Sequence, residues 1–96
     1  MYNDLDPLLH SQLRLAIISM LVASEKVEFT YIQSQTKAAA GNISIQAKKL
    51  EDAGYIKIAK SYKNNYPNTM LSITDKGVKA FESYVTSLKK YLNPKK

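Results

Sequence analysis

Residues 41–55, GNISIQAKKLEDAGY, decide how the chain is read. They form one amphipathic helix with a stop signal. Ile43, Ala47 and Leu50 fall at i, i+4 and i+7 and so share one face. Asn42, Ser44, Ile45, Gln46, Lys48 and Lys49 lie off that stripe. Gly54 stands where a helix C-terminus needs a residue that tolerates positive φ. A thin apolar stripe beside small polar residues and paired lysines suits the groove of a nucleic acid. It suits an ordinary solvated surface equally, so the flanking segments must decide.

Immediately upstream, residues 38–42 are small and include Gly41, as a tight connection between two helices requires. A short helix is expected over residues 30–37. Thr30 and Gln33 have capping-box spacing, Phe29 is placed as a staple, and Tyr31 or Ile32 turns inward. Residues 25–28 read as a charged connection. A longer helix precedes it and runs to Ser24. It starts either at Asp6-Pro7, an N-cap followed by a proline that loses no needed N–H, or at Ser11. Leu9, Leu13, Ile17, Met20 and Leu21 make one stripe, and Leu15, Ile18 and Val22 make another. A helix apolar nearly all round is buried on more than one side. Its second side meets either the interior of its own domain or another subunit.

Downstream of Gly54 the period changes from helical to alternating. Ile56 and Ile58 flank Lys57, with Lys60 following; Leu71 and Ile73 share a face of a second strand over residues 69–73. Residues 62–68 are rich in turn formers, which predicts a β-hairpin with a long polar tip. Lys60, Lys63, Asn64 and Asn65 make that tip a candidate contact surface. Thr74 is a good N-cap for a final helix, with Asp75 at the positive end of its dipole. Val78, Phe81, Val85, Leu88 and Leu92 then recur as a seam, with Tyr84 and Tyr91 flanking it. The seam packs either on the chain's own core or on a second copy. Joined with Leu15, Ile18 and Val22, it favours a homodimer. Residues 93–96 read as a frayed tail. The expected fold is mainly α with a small β-hairpin, an α+β arrangement in one domain over residues 1–96. Residues 8–73 form its body and 74–92 a C-terminal dimerisation helix.

The chain has 96 residues and a formal charge of +6, which predicts attraction to polyanions without specifying a fold. The charge is regional. Residues 1–30 carry two basic and four acidic side chains, whereas residues 37–63 carry six lysines against Glu51 and Asp52. Positive charge is therefore concentrated on the central helix and the segment after it. There is no cysteine, which excludes disulfides, thiol catalysis and cysteine zinc sites. His10 is the single histidine and has no second ligand at metal spacing. Three glycines leave no phosphate-cradling loop or dinucleotide fingerprint, and no nucleophile elbow is present. No catalytic residue, metal or cofactor is expected. Residues 13–23 are too short to span a bilayer and are interrupted by Arg14 and Ser19. No secretory pattern opens the chain, so a cytoplasmic location is the expectation.

Three motifs in this order give the chain a likeness. Arg14-Leu15-Ala16-Ile17-Ile18-Ser19-Met20-Leu21 is the first. Gly41-Asn42-Ile43-Ser44, continuing to Lys48-Lys49-Leu50-Glu51-Asp52-Ala53-Gly54-Tyr55-Ile56, is the second. Thr69, followed by Leu71-Ser72-Ile73-Thr74-Asp75-Lys76-Gly77, is the third. Together they resemble the winged-helix transcriptional regulators of bacteria and archaea, of the broad MarR/ArsR type, over residues 8–92. The resemblance implies a homodimer whose third helix enters the major groove while the wing follows the DNA backbone or adjacent minor groove. It implies that Asn42, Ser44, Ile45, Gln46 and Lys49 face DNA, with Lys48 near phosphate. Gln46 stands where relatives often carry His, and Ala47 where they carry Leu. Gln46 can pair bidentately with adenine, so a shifted sequence preference is expected. The wing has no arginine, which puts deep minor-groove insertion in doubt. Two rivals stand beside this reading: a winged-helix docking module without DNA binding, and a DNA-binding sensor gated by a small-molecule effector.

Overall fold

The structure is a computed structural model and describes residues 4–93. In chain order it has α1 (Gln12–Ser24), β1 (Lys26–Glu28), α2 (Phe29–Thr36), α3 (Ala40–Asp52), β2 (Ile56–Lys63), β3 (Tyr66–Ile73) and α4 (Asp75–Leu92). This is an α+β winged-helix fold. The three strands form an antiparallel sheet in the order β1-β3-β2. The tail expected over residues 93–96 lies, beyond Asn93, outside the described residues.

The core gathers around α1. Ile17, Ile18 and Leu21 are fully buried, with Leu9 before them. Ile32 of α2, Ile43, Ala47 and Leu50 of α3, Ile56 and Leu71 of the sheet, and Tyr84 of α4 close the cluster. The expected α3 stripe is therefore the buried one, and of Tyr31 and Ile32 it is Ile32 that turns inward. Burial of α1 on more than one side is resolved inside the domain at Ile18. That residue, expected at a subunit contact, has no exposed surface left to offer a partner.

Four local expectations are corrected. Ser11, not Asp6, caps α1. Asp6 instead holds a turn that carries Leu9 into the core: its Oδ1 accepts from the Leu8 N–H at 2.9 Å, and its carbonyl accepts from Leu9 and His10. The Thr30–Gln33 capping box does not form, because Glu28 rather than Thr30 takes the N-cap position, which leaves Thr30 inside α2, and no side chain caps the helix. Residues 26–28, read as a charged connection, are a third strand, with Val27 opposite Leu71. The hairpin has no long tip. Both strands continue to Lys63 and Tyr66, joined by Asn64-Asn65 at φ 53° and 66°. Positive φ at both central residues is the turn whose twist matches a hairpin, and asparagine tolerates it. Pro67 fits because it faces Tyr62 across β2, while β1 covers only residues 70–72 on the other edge.

Gly54 and Thr74 act as expected. At φ 83°, Gly54 ends α3 with paired bonds, its own N–H to Glu51 and that of Tyr55 to Leu50. Thr74 accepts from the Gly77 N–H at 3.0 Å and donates to the backbone carbonyls of Gly54 or Tyr55. A Cβ at Gly77 would collide with the Tyr55 carbonyl. The Tyr55 hydroxyl donates to Asp6 at 2.6 Å.

The buried face of α4 is rotated from the expected seam. Gly77, Tyr84 and Ser87 are the buried positions, with Ala80, Phe81 and Leu88 packed against the core beside them. Tyr84 shares a hydrogen bond with His10 Nδ1 at 3.0 Å. Val78 and Val85 are half-buried and Leu92 is 70% exposed.

Gly77→Ala should cost about 1–3 kcal/mol, the usual penalty for forcing a methyl into a filled site; an unchanged urea midpoint would contradict the close approach of α4 to Tyr55. Tyr55→Phe should cost about 1.5–3 kcal/mol at neutral pH, the range for a bond to a charged acceptor. Burial first, and the Asp6 carboxylate second, push the Tyr55 hydroxyl up to about 12 from its ordinary 10. The raised native value means the stabilisation is complete below pH 10 and is lost as pH climbs to 12. The stability gap between parent and Tyr55→Phe, read by denaturant titration, should therefore narrow across that interval.

Candidate nucleic-acid interface

Helices α2 and α3 are joined by a short turn in which Lys37 adopts the left-handed conformation. Helix α1 and strand β2 hold α3 from behind, so burial of Ile43, Ala47 and Leu50 turns its opposite face outward. That face carries Asn42, Ile45, Lys48 and Lys49, all exposed. Ile45 is 57% exposed and has no role in the core. Ser44 lies on the flank and lines a cleft between α3 and the hairpin. Phe29, Ala47, Ile58 and Leu71 form its apolar part, and Lys48 and Lys60 supply its cations.

Lys48 is not unengaged. It pairs with Asp52 at 3.1 Å and with Glu51 at 3.4 Å. Hydrogen bonding to Asp52 first, then its charge and that of Glu51, holds the ammonium above its ordinary value. Both pairs lie on a solvated surface, where such bridges contribute little and exchange readily. Glu51 also accepts from the Ile58 N–H through its other oxygen at 3.1 Å, tying α3 to the start of the wing.

Gln46 differs from its expected role. It is half-buried on the flank facing α1, and Arg14 Nη1 donates to its Oε1. Its amide nitrogen donates to Asn42 Oδ1 at 3.0 Å. The oxygen needed for a bidentate pair with adenine is thus turned into the protein. Arg14 is itself anchored by donating from Nε to the Leu8 carbonyl at 2.6 Å. Arginine at this place was visible in the sequence, but nothing in its spacing linked it to Gln46, 32 positions away.

Strand pairing sorts the wing into two faces. Lys60 and Tyr62 continue the face that Ile56 and Ile58 begin, opposite Thr69 and Pro67. Lys63 and Tyr66 are cross-strand partners on the other face, and Asn64 and Asn65 are exposed at the turn. Tyr62 and Tyr66 are 79% and 74% exposed. Both lie in the stretch whose composition predicts a turn. The available signal was two tyrosines within five residues that no strand pairing could bury.

The expected subunit-contact residues fall into three groups. Ile18 is sealed in the core. Leu15, Phe81 and Leu88 are half-buried and pack on that core. Val22, Val78 and Val85 are half-buried, and Leu92 is exposed. Among the described residues no cluster of three or more His, Asp or Glu could hold a metal, and no helix is long and apolar enough to cross a membrane.

A helix-turn-helix whose second helix projects beside a β-hairpin defines the winged helix-turn-helix class of DNA-binding domains. The chain belongs to the winged helix DNA-binding domain family, whose pattern it matches over residues 13–92. A relative from Methanocaldococcus jannaschii, itself uncharacterised, is 33% identical over 76 residues, covering 79% of this chain and 83% of that one. Among solved structures, the transcriptional regulator homologue of Pyrococcus horikoshii superposes with a TM-score of 0.84 at 29% identity, over 91% of this chain and 86% of its own. Bacillus subtilis PadR, solved in complex with operator DNA, shares the fold at a TM-score of 0.69 and 23% identity, over 78% of this chain and 47% of PadR. The regulator BldR of Sulfolobus solfataricus does so at 0.73 and 20%, over 88% of this chain and 59% of its own.

Proposed function

We propose that the protein is a homodimeric, sequence-specific regulator of transcription that binds double-stranded DNA. One observation carries this reading: α3 leaves Asn42, Ile45 and Lys49 in solvent, beside a lysine-bearing wing. An exposed isoleucine among polar side chains gains nothing for the fold, yet it can contact a thymine methyl in the major groove. Lys49, Lys60 and Lys63 supply sequence-independent attraction to phosphate, with Lys48 joining them when it exchanges its carboxylate partners. The wing turn, with Asn64 and Asn65, lies along the backbone. Tyr62 and Tyr66 reach sugar and phosphate there, since tyrosine hydroxyls commonly serve as backbone contacts.

Residues 8–73 form the DNA-binding body and 74–92 the dimerisation helix. The second copy would cover Val22, Val78, Val85 and Leu92, with Leu15, Phe81 and Leu88 at the border. Two-fold symmetry then sets two half-sites about one helical turn, or somewhat more, apart. No ligand-binding constellation among these residues specifies an effector.

Selection of duplexes from a random pool, at two salt concentrations, tests the whole reading. A two-fold symmetric motif with steep salt dependence is the expected result. Salt-sensitive binding with no motif would make the protein a non-specific binder, and no binding at low salt would favour a docking module. Lys63→Ala should weaken all sequences alike and reduce the salt slope by about one unit. Equal slopes for variant and parent would remove Lys63 from the phosphate contacts.

A further inference from the structure

We infer that Arg14, although on α1 and outside the groove, sets which base the N-terminal turn of α3 prefers, by fixing the hydrogen-bond polarity of Gln46 and Asn42. The inference rests on the DNA-binding reading above. Its basis is a three-membered relay. Arg14 Nη1 donates to Gln46 Oε1, and Gln46 Nε2 donates to Asn42 Oδ1 at 3.0 Å. Amide oxygen and nitrogen are nearly interchangeable in shape, so the direction of such a chain is normally ambiguous. Here it is not, because a guanidinium has donors only. Arg14 must meet an oxygen, so the Gln46 nitrogen must face outward. The Asn42 oxygen must then face that nitrogen, and the Asn42 NH2 is left to point away from it. Arg14 cannot easily swing aside, since Nε is held by the Leu8 carbonyl at 2.6 Å.

The consequence is chemical. The outer end of the relay offers amide donors, and the positive charge behind it polarises them further. In the major groove, guanine presents two adjacent acceptors, O6 and N7, whereas adenine pairs its N7 with a donor, N6. A donor-only edge matches guanine and meets the adenine N6 donor head-on. A free Gln46 would have favoured adenine through its oxygen and nitrogen together; Arg14 takes that oxygen away. Arg14 is accordingly a positioning residue that acts through Gln46, and Asn42 is the group that meets the base.

The relay can be cut or reversed. Arg14→Met removes the donor and frees the Gln46 amide to turn over. Gln46→Glu replaces the amide with a group that only accepts, so the Asn42 NH2 must turn inward to it and the Asn42 oxygen outward. The experiment is selection from random duplex DNA with the parent, Asn42→Ala, Arg14→Met and Gln46→Glu, each checked for folding by circular dichroism. The base position of interest is the one whose preference disappears in Asn42→Ala. Its base frequencies are compared within each bound pool, so a uniform loss of affinity does not enter. The parent should prefer guanine there, and Arg14→Met should reduce the guanine-to-adenine ratio about tenfold, within the range for one bidentate contact. Gln46→Glu should move the preference to cytosine, whose N4 donates. Should Arg14→Met fail to fold, the Gln46→Glu reversal decides alone, because residue 46 lies outside the buried stripe of α3. A parental preference for adenine, no position that depends on Asn42, or variants that keep the parental bases would each overturn the relay while leaving DNA binding intact. A parent that enriches no motif would overturn both.

Discussion

The backbone carbonyl of Tyr55 is the point from which the rest of the molecule takes its geometry. It accepts from the Thr74 N–H at 3.1 Å, lies within reach of the Thr74 hydroxyl at 3.0 Å, and sits against Gly77 where no Cβ could fit. The residue before it ends α3, the residue after it opens β2, and Thr74 opens α4. One small junction therefore fixes α3, the wing and the C-terminal helix relative to one another. The Tyr55 side chain extends the same clamp to Asp6, and Lys76 passes over its ring at 5.9 Å. Errors of placement here would be magnified along the wing, whose tip is the turn at Asn64-Asn65.

Around this junction, α1 does for the interior what Tyr55 does for the connections. Its buried isoleucines and Leu21 contact the other helices and the sheet in one cluster. Because α3 spends Ile43, Ala47 and Leu50 on that cluster, its remaining side chains have no inward partner and are displayed. The candidate DNA surface is thus a by-product of core packing: the more completely one face is buried, the more rigidly the other is held toward solvent. Arg14 joins the two layers, since it stands on the core helix yet hydrogen-bonds to the flank of the displayed one.

The hairpin shows where local signals mislead. Residues 62–68 have turn-forming composition, yet only Asn64 and Asn65 turn. Pairing with the opposite strand overrides the weak preferences of Tyr66, Pro67 and Asn68. Strand β1 is the converse case. Three residues cannot show a period, and Lys26-Val27-Glu28 becomes a strand only because the edge of β3 is waiting for it. In α4 the seven-residue spacing was legible, but its phase was not. Tyr84, with its hydroxyl partnered by His10, is buried in preference to Val78 and Val85, because Gly77 is the one residue that lets the helix approach Tyr55. An aromatic with a polar end is accepted inside once a partner exists, and that partner is 74 positions distant in sequence.

The sequence by itself determined the elements whose signals are local. The α3 stripe, the Gly54 stop, the Thr74 cap, the alternation of β2 and β3 and the concentration of lysines from residue 37 to 63 are all properties of neighbours within a few positions. From them the winged helix-turn-helix architecture and its outward helix face follow. Only the tertiary structure decided the third strand, the sealing of Ile18, the phase of α4 and the capture of Gln46 by Arg14. Each of these depends on which distant groups meet, and hydrogen-bond or packing partners far apart in the chain leave no periodic trace in it.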